Sequence, residues 1–121
     1  MTQEEKDLLL KDLCARLPYG VKISVPELWT NKEKIETLNE IFKGDDDLYR
    51  VNDSGILIKY IKPYLFPLSS MTEEQKEDMV KSSCGIGSDK NVFDWYNKNH
   101  FDYRGLIPMG LAIDATNKNI Y

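Results

Sequence analysis

One short polar run near the C-terminus contains the residue types that could do chemistry. His100, Asp102 and Arg104 alternate there with Phe101 and Tyr103. If the run is extended, the three polar side chains point to one side and the two rings to the other. A carboxylate can orient an imidazole for proton transfer, and a guanidinium can hold an anionic group. The functional interpretation is therefore a small polar site.

The same run has a structural interpretation, which we favour. Asp102 and Arg104 would form a hydrogen-bonded brace, His100 would cap the end of the preceding helix, and the rings would fill the core. No serine or cysteine has a spacing that marks it as a nucleophile for His100. We therefore assign no catalytic residue from the sequence.

The rest of the chain offers little metal or cofactor chemistry. Its one histidine and its two cysteines, Cys14 and Cys84, fall short of the four ligands of a structural zinc site. Cys84 has no basic neighbour and is expected to be a spectator thiol. The glycines at 85–87 are too few for a phosphate-binding loop, and the acidic run 45–47 lacks the spacing of a calcium loop. We expect no metal and no cofactor.

Composition and charge describe an ordinary globular protein. The 121 residues are 41% hydrophobic and 30% charged, which fits a single domain over residues 1–121 and is too apolar for a disordered chain. The net charge of −4 argues mildly against nucleic-acid binding, which favours a basic face. The N-terminus is too polar for a signal peptide, and no apolar run approaches transmembrane length. We expect a soluble, cytoplasmic protein with reduced thiols and no membrane contact.

The periodicity of the chain predicts the elements that would position the polar run. Thr2 and Glu5 form a capping box before a helix that ends at Pro18. This helix places leucines on one face and charged residues on the other: Leu9, Leu10, Leu13 and Leu17 against Lys6, Asp7, Lys11 and Asp12. Alternation over residues 21–25 then predicts a strand with one wet side.

Further elements are predicted downstream. They are a hairpin of residues 48–51 and 56–61 around an Asn52–Gly55 turn, an extended crossing without regular structure between Pro63 and Pro67, and helices over 73–81 and 91–99 joined by a flexible connection over 82–88.

Residues 30–44 are ambiguous. Thr30 and Glu33 could form another capping box, the apolar residues from Ile35 to Phe42 have helical spacing, and Gly44 could end a helix. Yet the segment lies between two strand-like stretches, and tertiary context often overrides local propensity. Both helix and strand remain open on this pattern.

Several stretches carry a resemblance: Lys11–Gly20, Ile61–Thr72, and His100–Ile107 continuing through Gly110–Ala112. They resemble a group of short uncharacterised proteins encoded in gut-bacterial genomes and their phages or other mobile elements. The resemblance runs nearly end to end and is weakest between Trp29 and Gly55. It implies an origin and carries over no activity or catalytic residue. The similar proteins have strands across the ambiguous stretch, which favours a strand for Ile35–Phe42.

These observations predict an α+β fold. An N-terminal helix precedes a small curled antiparallel sheet of about four strands, which could approach a barrel, and two C-terminal helices follow. The function we favour is that of a non-enzymatic binding or accessory protein, of a mobile element, with another protein as its partner.

Two alternative functions use different residues. The first is a small enzyme or ligand-binding protein that uses His100, Asp102 and Arg104. The second is nucleic-acid binding through the curled sheet, with lysines that contact the nucleic-acid backbone and tyrosines that stack on bases. The residues are Lys22, Lys59, Lys62, Tyr60 and Tyr64.

Overall fold

The computed structural model describes residues 2–27, 30, 32–83 and 88–121 and shows the expected α+β fold. The helices are α1 (Gln3–Arg16), α2 (Glu73–Ser83) and α3 (Ser88–Lys98). The strands are β1 (Lys22–Pro26), β2 (Glu33–Thr37), β3 (Ile41–Lys43), β4 (Tyr49–Val51), β5 (Ile56–Leu57), β6 (Lys62–Pro67), β7 (Phe101–Asp102) and β8 (Ile113–Asp114). Short 3₁₀ turns cover Leu17–Tyr19, Ile58–Tyr60 and Leu68–Ser70.

The strands form two sheets, where the sequence predicted one. The larger sheet has the order β2-β1-β6-β7, with β8 also paired to β6, and the smaller has the order β3-β4-β5. β1 is antiparallel to both of its neighbours, whereas β7 and β8 run parallel to β6. The parallel pairs arise because the chain returns to β6 after the helical crossover of α2 and α3. Neither sheet of the described chain closes into a barrel.

The predicted capping box begins α1. The Thr2 hydroxyl accepts from the Glu5 N–H at 3.1 Å, and the Glu5 carboxylate accepts from the Thr2 N–H at 3.0 Å. Leu9 and Leu13 are fully buried in the main core cluster. Asp12 is fully buried as well, so its assignment to the wet face of the helix is wrong.

The main core cluster lies between α1 and the two sheets. Its members come from every part of the chain before α2 and from the segment after β7: Leu9, Leu13, Val21, Ile23, Val25, Leu38, Val51, Ile58, Ile61, Leu65, Leu106, Leu111 and Ala112. On β1, Ser24 is also buried, and its hydroxyl donates to Glu33 at 2.8 Å. The prediction that one side of this strand is wet is therefore wrong at Ser24.

The ambiguous stretch contains two strands, β2 and β3, where one strand over Ile35–Phe42 was favoured. β2 and β3 are separated by a bend at residues 38–40, and the side chain of Asn52 holds this bend. Its Oδ1 accepts from the N–H groups of Asn39 and Glu40 at 2.7 and 3.3 Å, and its Nδ2 donates to the Thr37 carbonyl at 3.0 Å. One buried asparagine thereby joins the two sheets.

Two predicted elements differ from the structure. The return strand of the hairpin stops at Leu57 and is followed by a 3₁₀ turn, which directs both Ile58 and Ile61 into the core. A spacing of three residues places side chains on the same side of a 3₁₀ turn. The crossing between Pro63 and Pro67 is a regular strand, β6, at the centre of the larger sheet.

The C-terminal half of the chain is held by polar contacts and rings. Thr72 and Gln75 form the predicted capping box of α2. The indole N–H of Trp95 on α3 donates to Asp78 of α2 at 2.7 Å, and its ring stacks on Phe101 at 5.5 Å.

Within the described residues, no helix combines the length and apolar character needed to cross a bilayer.

Candidate functional site

His100 ends α3 and stacks on the last aromatic residue of the chain. Its backbone is left-handed, with φ of 65°, and its N–H points to the Asn97 carbonyl at 3.4 Å. The imidazole lies against the ring of Tyr121 with a centroid separation of 3.9 Å. Burial lowers the pKa of His100 to about 4, and the positive charges of Arg16 and Lys22 act in the same direction. The ring is therefore neutral at physiological pH.

The Asp102 carboxylate organises the backbone that follows β7. Its two oxygens accept from the N–H groups of Leu106 and Ile107, at 2.8 and 2.9 Å. The side chain is buried, and the loop that it fixes includes Gly105, whose φ of 75° suits a glycine. Both acceptor atoms are committed to this loop.

Arg104 points toward α1. Its Nη1 donates to the Tyr103 hydroxyl at 2.8 Å and lies 3.7 Å from the Asp12 carboxylate. Its guanidinium lies over the Tyr103 ring, 4.6 Å from the centroid. Asp102 and Arg104 are therefore not paired with each other, and each of them has its own partners.

The structure does not bring the three predicted residues together. No hydrogen bond or ion pair in the described part of the chain joins the side chains of His100, Asp102 and Arg104. The imidazole is neutral and stacked, the carboxylate accepts from backbone, and the guanidinium faces α1. Asp102 and Arg104 do not form the brace that the structural interpretation expected, and each of them contacts other groups.

Sequence reasoning missed the buried ion pair next to this run. Asp12 and Arg16 are fully buried, and the Arg16 Nε donates to Asp12 at 2.9 Å. Arg16 also donates to the Phe101 carbonyl at 2.6 Å and to the Tyr96 carbonyl at 3.5 Å. Burial raises the pKa of Asp12, against the attraction of Arg16. The only sequence signal was an Asp–Arg pair four residues apart on α1.

The residues proposed for nucleic-acid binding differ in their accessibility in the fold. Tyr60 is 58% exposed and Lys59 lies 5.0 Å over its ring, so this pair is accessible. Tyr64 is only 8% exposed, and the Lys22 ammonium donates to the Thr37 hydroxyl. A base could not stack on Tyr64 without displacing its neighbours.

A groove of about 220 Å³ lies between α1 and the smaller sheet. One wall is a face of α1 with residues three and four positions apart, and the other comes from the turn before β4 and from the end of β5. The lining residues are Gln3, Lys6, Asp7, Leu10, Asp47, Leu48, Tyr49, Leu57, Ile58 and Lys59. The opposite face of α1 packs into the core, and Leu10 and Ile58 connect the core to the groove.

The groove combines exposed apolar groups with charged side chains of both signs, since Asp7 and Asp47 line it together with Lys6 and Lys59. Leu48 is 48% exposed and Tyr49 is 40% exposed. Asp47 forms an ion pair with Lys43 at 3.7 Å. Among the described residues, neither Lys6 nor Lys59 has a carboxylate within ion-pair distance.

The acidic turn before β4 gives the groove a fixed wall. The Asp46 carboxylate accepts from the Leu48 N–H at 3.1 Å and from Arg50 at 2.6 Å, and the pKa of Asp46 is lowered, mainly by the hydrogen bond from Leu48. Arg50 also donates to the Gly55 carbonyl at 3.1 Å. The backbone of Leu48 is therefore held in place, and about half of the residue's surface is exposed.

Other candidate features of the chain provide less support for a function. Within the described ranges, no group of three or more His, Cys, Asp and Glu side chains could hold a metal ion. Cys84 and the glycines at 85–87 lie outside the described residues, so the expectations about them stay predictions. Comparison with protein-family models, with curated proteins and with solved structures finds no match.

Proposed function

We propose that this chain is a non-enzymatic binding protein that engages a segment of another protein in the groove between α1 and the smaller sheet. The observation that carries the proposal is the pair Leu48 and Tyr49, two large apolar side chains that remain substantially exposed on a fixed wall. Isolated exposed apolar residues are common, but adjacent ones lining a groove are typical of binding sites.

The occupant we propose is an acidic peptide segment with a large apolar side chain. The apolar side chain would lie on Leu10, Leu48 and Tyr49, where it would bury surface from water. The carboxylates would pair with Lys6 and Lys59, which lack carboxylate partners among the described residues. Charge complementarity of this kind favours an acidic over a basic segment, because the two aspartates of the groove already have partners: Asp47 pairs with Lys43 and Asp7 accepts from Gln3.

The catalytic alternative receives no support from the geometry. It requires His100, Asp102 and Arg104 to face one pocket. In the structure, His100 stacks on a tyrosine ring, Asp102 accepts from the backbone of the following loop, and Arg104 faces α1. The proposal also retains two expectations from the sequence. The resemblance supports an origin in a mobile element, and the cysteine content supports a cytoplasmic location.

The experiment uses two synthetic peptides and an NMR titration of the ¹⁵N-labelled protein. One peptide alternates Leu with Glu, and the other has Lys in place of each Glu. We expect the Glu peptide to shift the amide signals of Leu10, Leu48, Tyr49 and Lys59, and to bind more tightly than the Lys peptide. Lys6→Glu should reduce this preference because it reverses one charge of the groove.

A matched pair of variants locates the binding site. Leu48→Glu should weaken binding of the Glu peptide by about tenfold or more, because it places a like charge at the apolar contact. Leu68→Glu is the control, since Leu68 is 41% exposed and lies outside the groove. Equal binding by the two variants, or amide shifts confined to another surface, would contradict the proposal.

A further inference from the structure

β2 is the outer strand of the larger sheet. It pairs antiparallel with β1 over its whole length, from Lys22 opposite Thr37 to Pro26 opposite Glu33, and no described strand pairs with its other side. A strand edge of this kind presents N–H and C=O groups that can pair with another strand. β2 is therefore a potential docking edge.

The register defines which backbone groups face outward. The N–H of Leu38 donates to the Val21 carbonyl, and the N–H of Glu27 donates to the Lys32 carbonyl. Because hydrogen-bonded pairs alternate along an antiparallel ladder, the even-numbered residues of β2 bond to β1. The backbone groups of Glu33, Ile35 and Thr37 therefore face away from the sheet.

The side chains of β2 make this edge complementary to itself. Lys34 and Glu36 flank Ile35 and lie on the opposite face of the strand from it. In an antiparallel pair of two β2 strands centred on Ile35, each Lys34 lies opposite Glu36 of the second copy. These are the non-hydrogen-bonded positions, where opposed side chains approach most closely.

The same register places Ile35 opposite Ile35. Its side chain is 53% exposed in the single chain, and the contact would remove part of this surface from water. The outward N–H and C=O groups of the two Ile35 residues can pair with each other, and the Thr37 N–H can pair with the Glu33 carbonyl of the second copy. The Thr37 carbonyl already accepts from Asn52, so each end of the two-fold ladder has one acceptor that is already occupied.

We propose that a second copy of this chain adds to the edge of β2 in antiparallel register about Ile35, so that the larger sheet continues across a two-fold dimer. Charge order favours this occupant: Lys34 and Glu36 lie 3.6 Å apart as an ion pair within one chain, and a second β2 strand would present Glu opposite Lys at both positions. The contact is small, and interfaces below about 1,200 Å² are typical of weak association. The dimer is therefore concentration-dependent, and it uses backbone and side chains outside the α1 groove.

The first test is sedimentation velocity of the full chain from about 10 μM to about 1 mM, a range suited to a weak interface. We expect the weight-average mass to rise from one chain toward two. Ile35→Pro should abolish this rise, because proline removes an outward N–H and leaves the inward ladder of Lys34 and Glu36 intact. Circular dichroism and the melting temperature of this variant check that it is folded.

The second test depends on charge and does not require proline to be tolerated. Lys34→Glu and Glu36→Lys each place like charges opposite each other, so each alone should weaken self-association by about tenfold or more. A mixture of the two variants restores opposite charges at both positions and should associate as the wild type does. Lys11→Glu, an exposed substitution on α1, is the charge-matched control and should leave association unchanged.

Several results would overturn the proposal. They are a wild-type chain that stays monomeric over the whole range, charge variants that associate as the wild type does, and variants that fail to associate on mixing. Association that persists in folded Ile35→Pro would place the contact on another surface. Loss of the dimer together with retained binding of the Glu peptide would leave the groove proposal standing.

Discussion

Acidification should destabilise the protein through His100, because the folded chain keeps this imidazole neutral. Burial lowers its pKa from 6.5 to about 4, and the charges of Arg16 on α1 and Lys22 on β1 oppose protonation further. The ring of Tyr121 covers one face, and Nδ1 is buried without a partner in the described chain. The unfolded chain therefore takes up a proton at a pH at which the folded chain does not.

The sign and the size of the effect follow from these pKa values. Because the folded pKa is the lower one, the stability is complete above pH 6.5 and falls as the pH drops toward about 4. Each unit between the two pKa values corresponds to about 1.4 kcal/mol, so the whole interval corresponds to about 3 kcal/mol. The ring is only partly buried, and solvent screening reduces this loss to about 1–2 kcal/mol.

The substitution His100→Asn isolates the imidazole. Asparagine tolerates the left-handed backbone of residue 100 and does not titrate. Urea unfolding at about pH 7.5 and about pH 4.5 should show that the wild type loses about 1–2 kcal/mol more than the variant. The carboxyl groups titrate in both proteins and cancel in the comparison. The chain has one histidine, so an NMR titration reads its pKa directly. A pKa near 6.5, or equal losses in both proteins, would refute the reasoning.

The remaining predictions concern stability and are measured by denaturant unfolding. Asp102→Ala should cost about 2–4 kcal/mol, because two backbone N–H groups lose their acceptors, and Asp102→Asn should cost less; equal costs would contradict the role of both oxygens. Asn52→Ala should cost about 2–3 kcal/mol, since three hydrogen bonds hold the bend between β2 and β3. Arg16→Met should cost about 3–5 kcal/mol by leaving Asp12 buried without its closest partner, and Arg104→Met should cost clearly less; the reverse order would refute this account.

The parts of the fold that the sequence predicted are those set by local rules. The capping box of Thr2 and Glu5 and that of Thr72 and Gln75 both occur where the pattern placed them. Such caps depend on residues within one helical turn, so they can be recognised without knowledge of the fold. The helical order and the α+β class followed from the same signals.

The parts that the sequence could not predict depend on distant partners. Local spacing allowed a helix at residues 30–44, and two strands form instead. Asn52, more than ten residues away, clamps the bend between them. A proline at position 63 argues against a central strand. In the structure, Pro63 lies opposite Ile23, whose backbone N–H and C=O groups are directed at β2. The ladder between β1 and β6 therefore requires no N–H from the proline. Which residues of a strand bond to which neighbour is known only once the strand pairs and their register are known.

The partners of the polar run could not be predicted for a related reason. β7 and β8 are two residues long, so the segment around them has few ladder hydrogen bonds, and its buried backbone groups need side-chain partners. Asp102 supplies acceptors for two N–H groups, and Arg16 supplies donors for two carbonyls. Of the polar residues that suggested chemistry, Asp102 is thus one that irregular buried backbone requires. By contrast, Lys6 has no carboxylate partner in the described chain, and the half-exposed side chain of Leu48 satisfies no buried backbone group. We therefore propose that the binding site is the groove that these residues line.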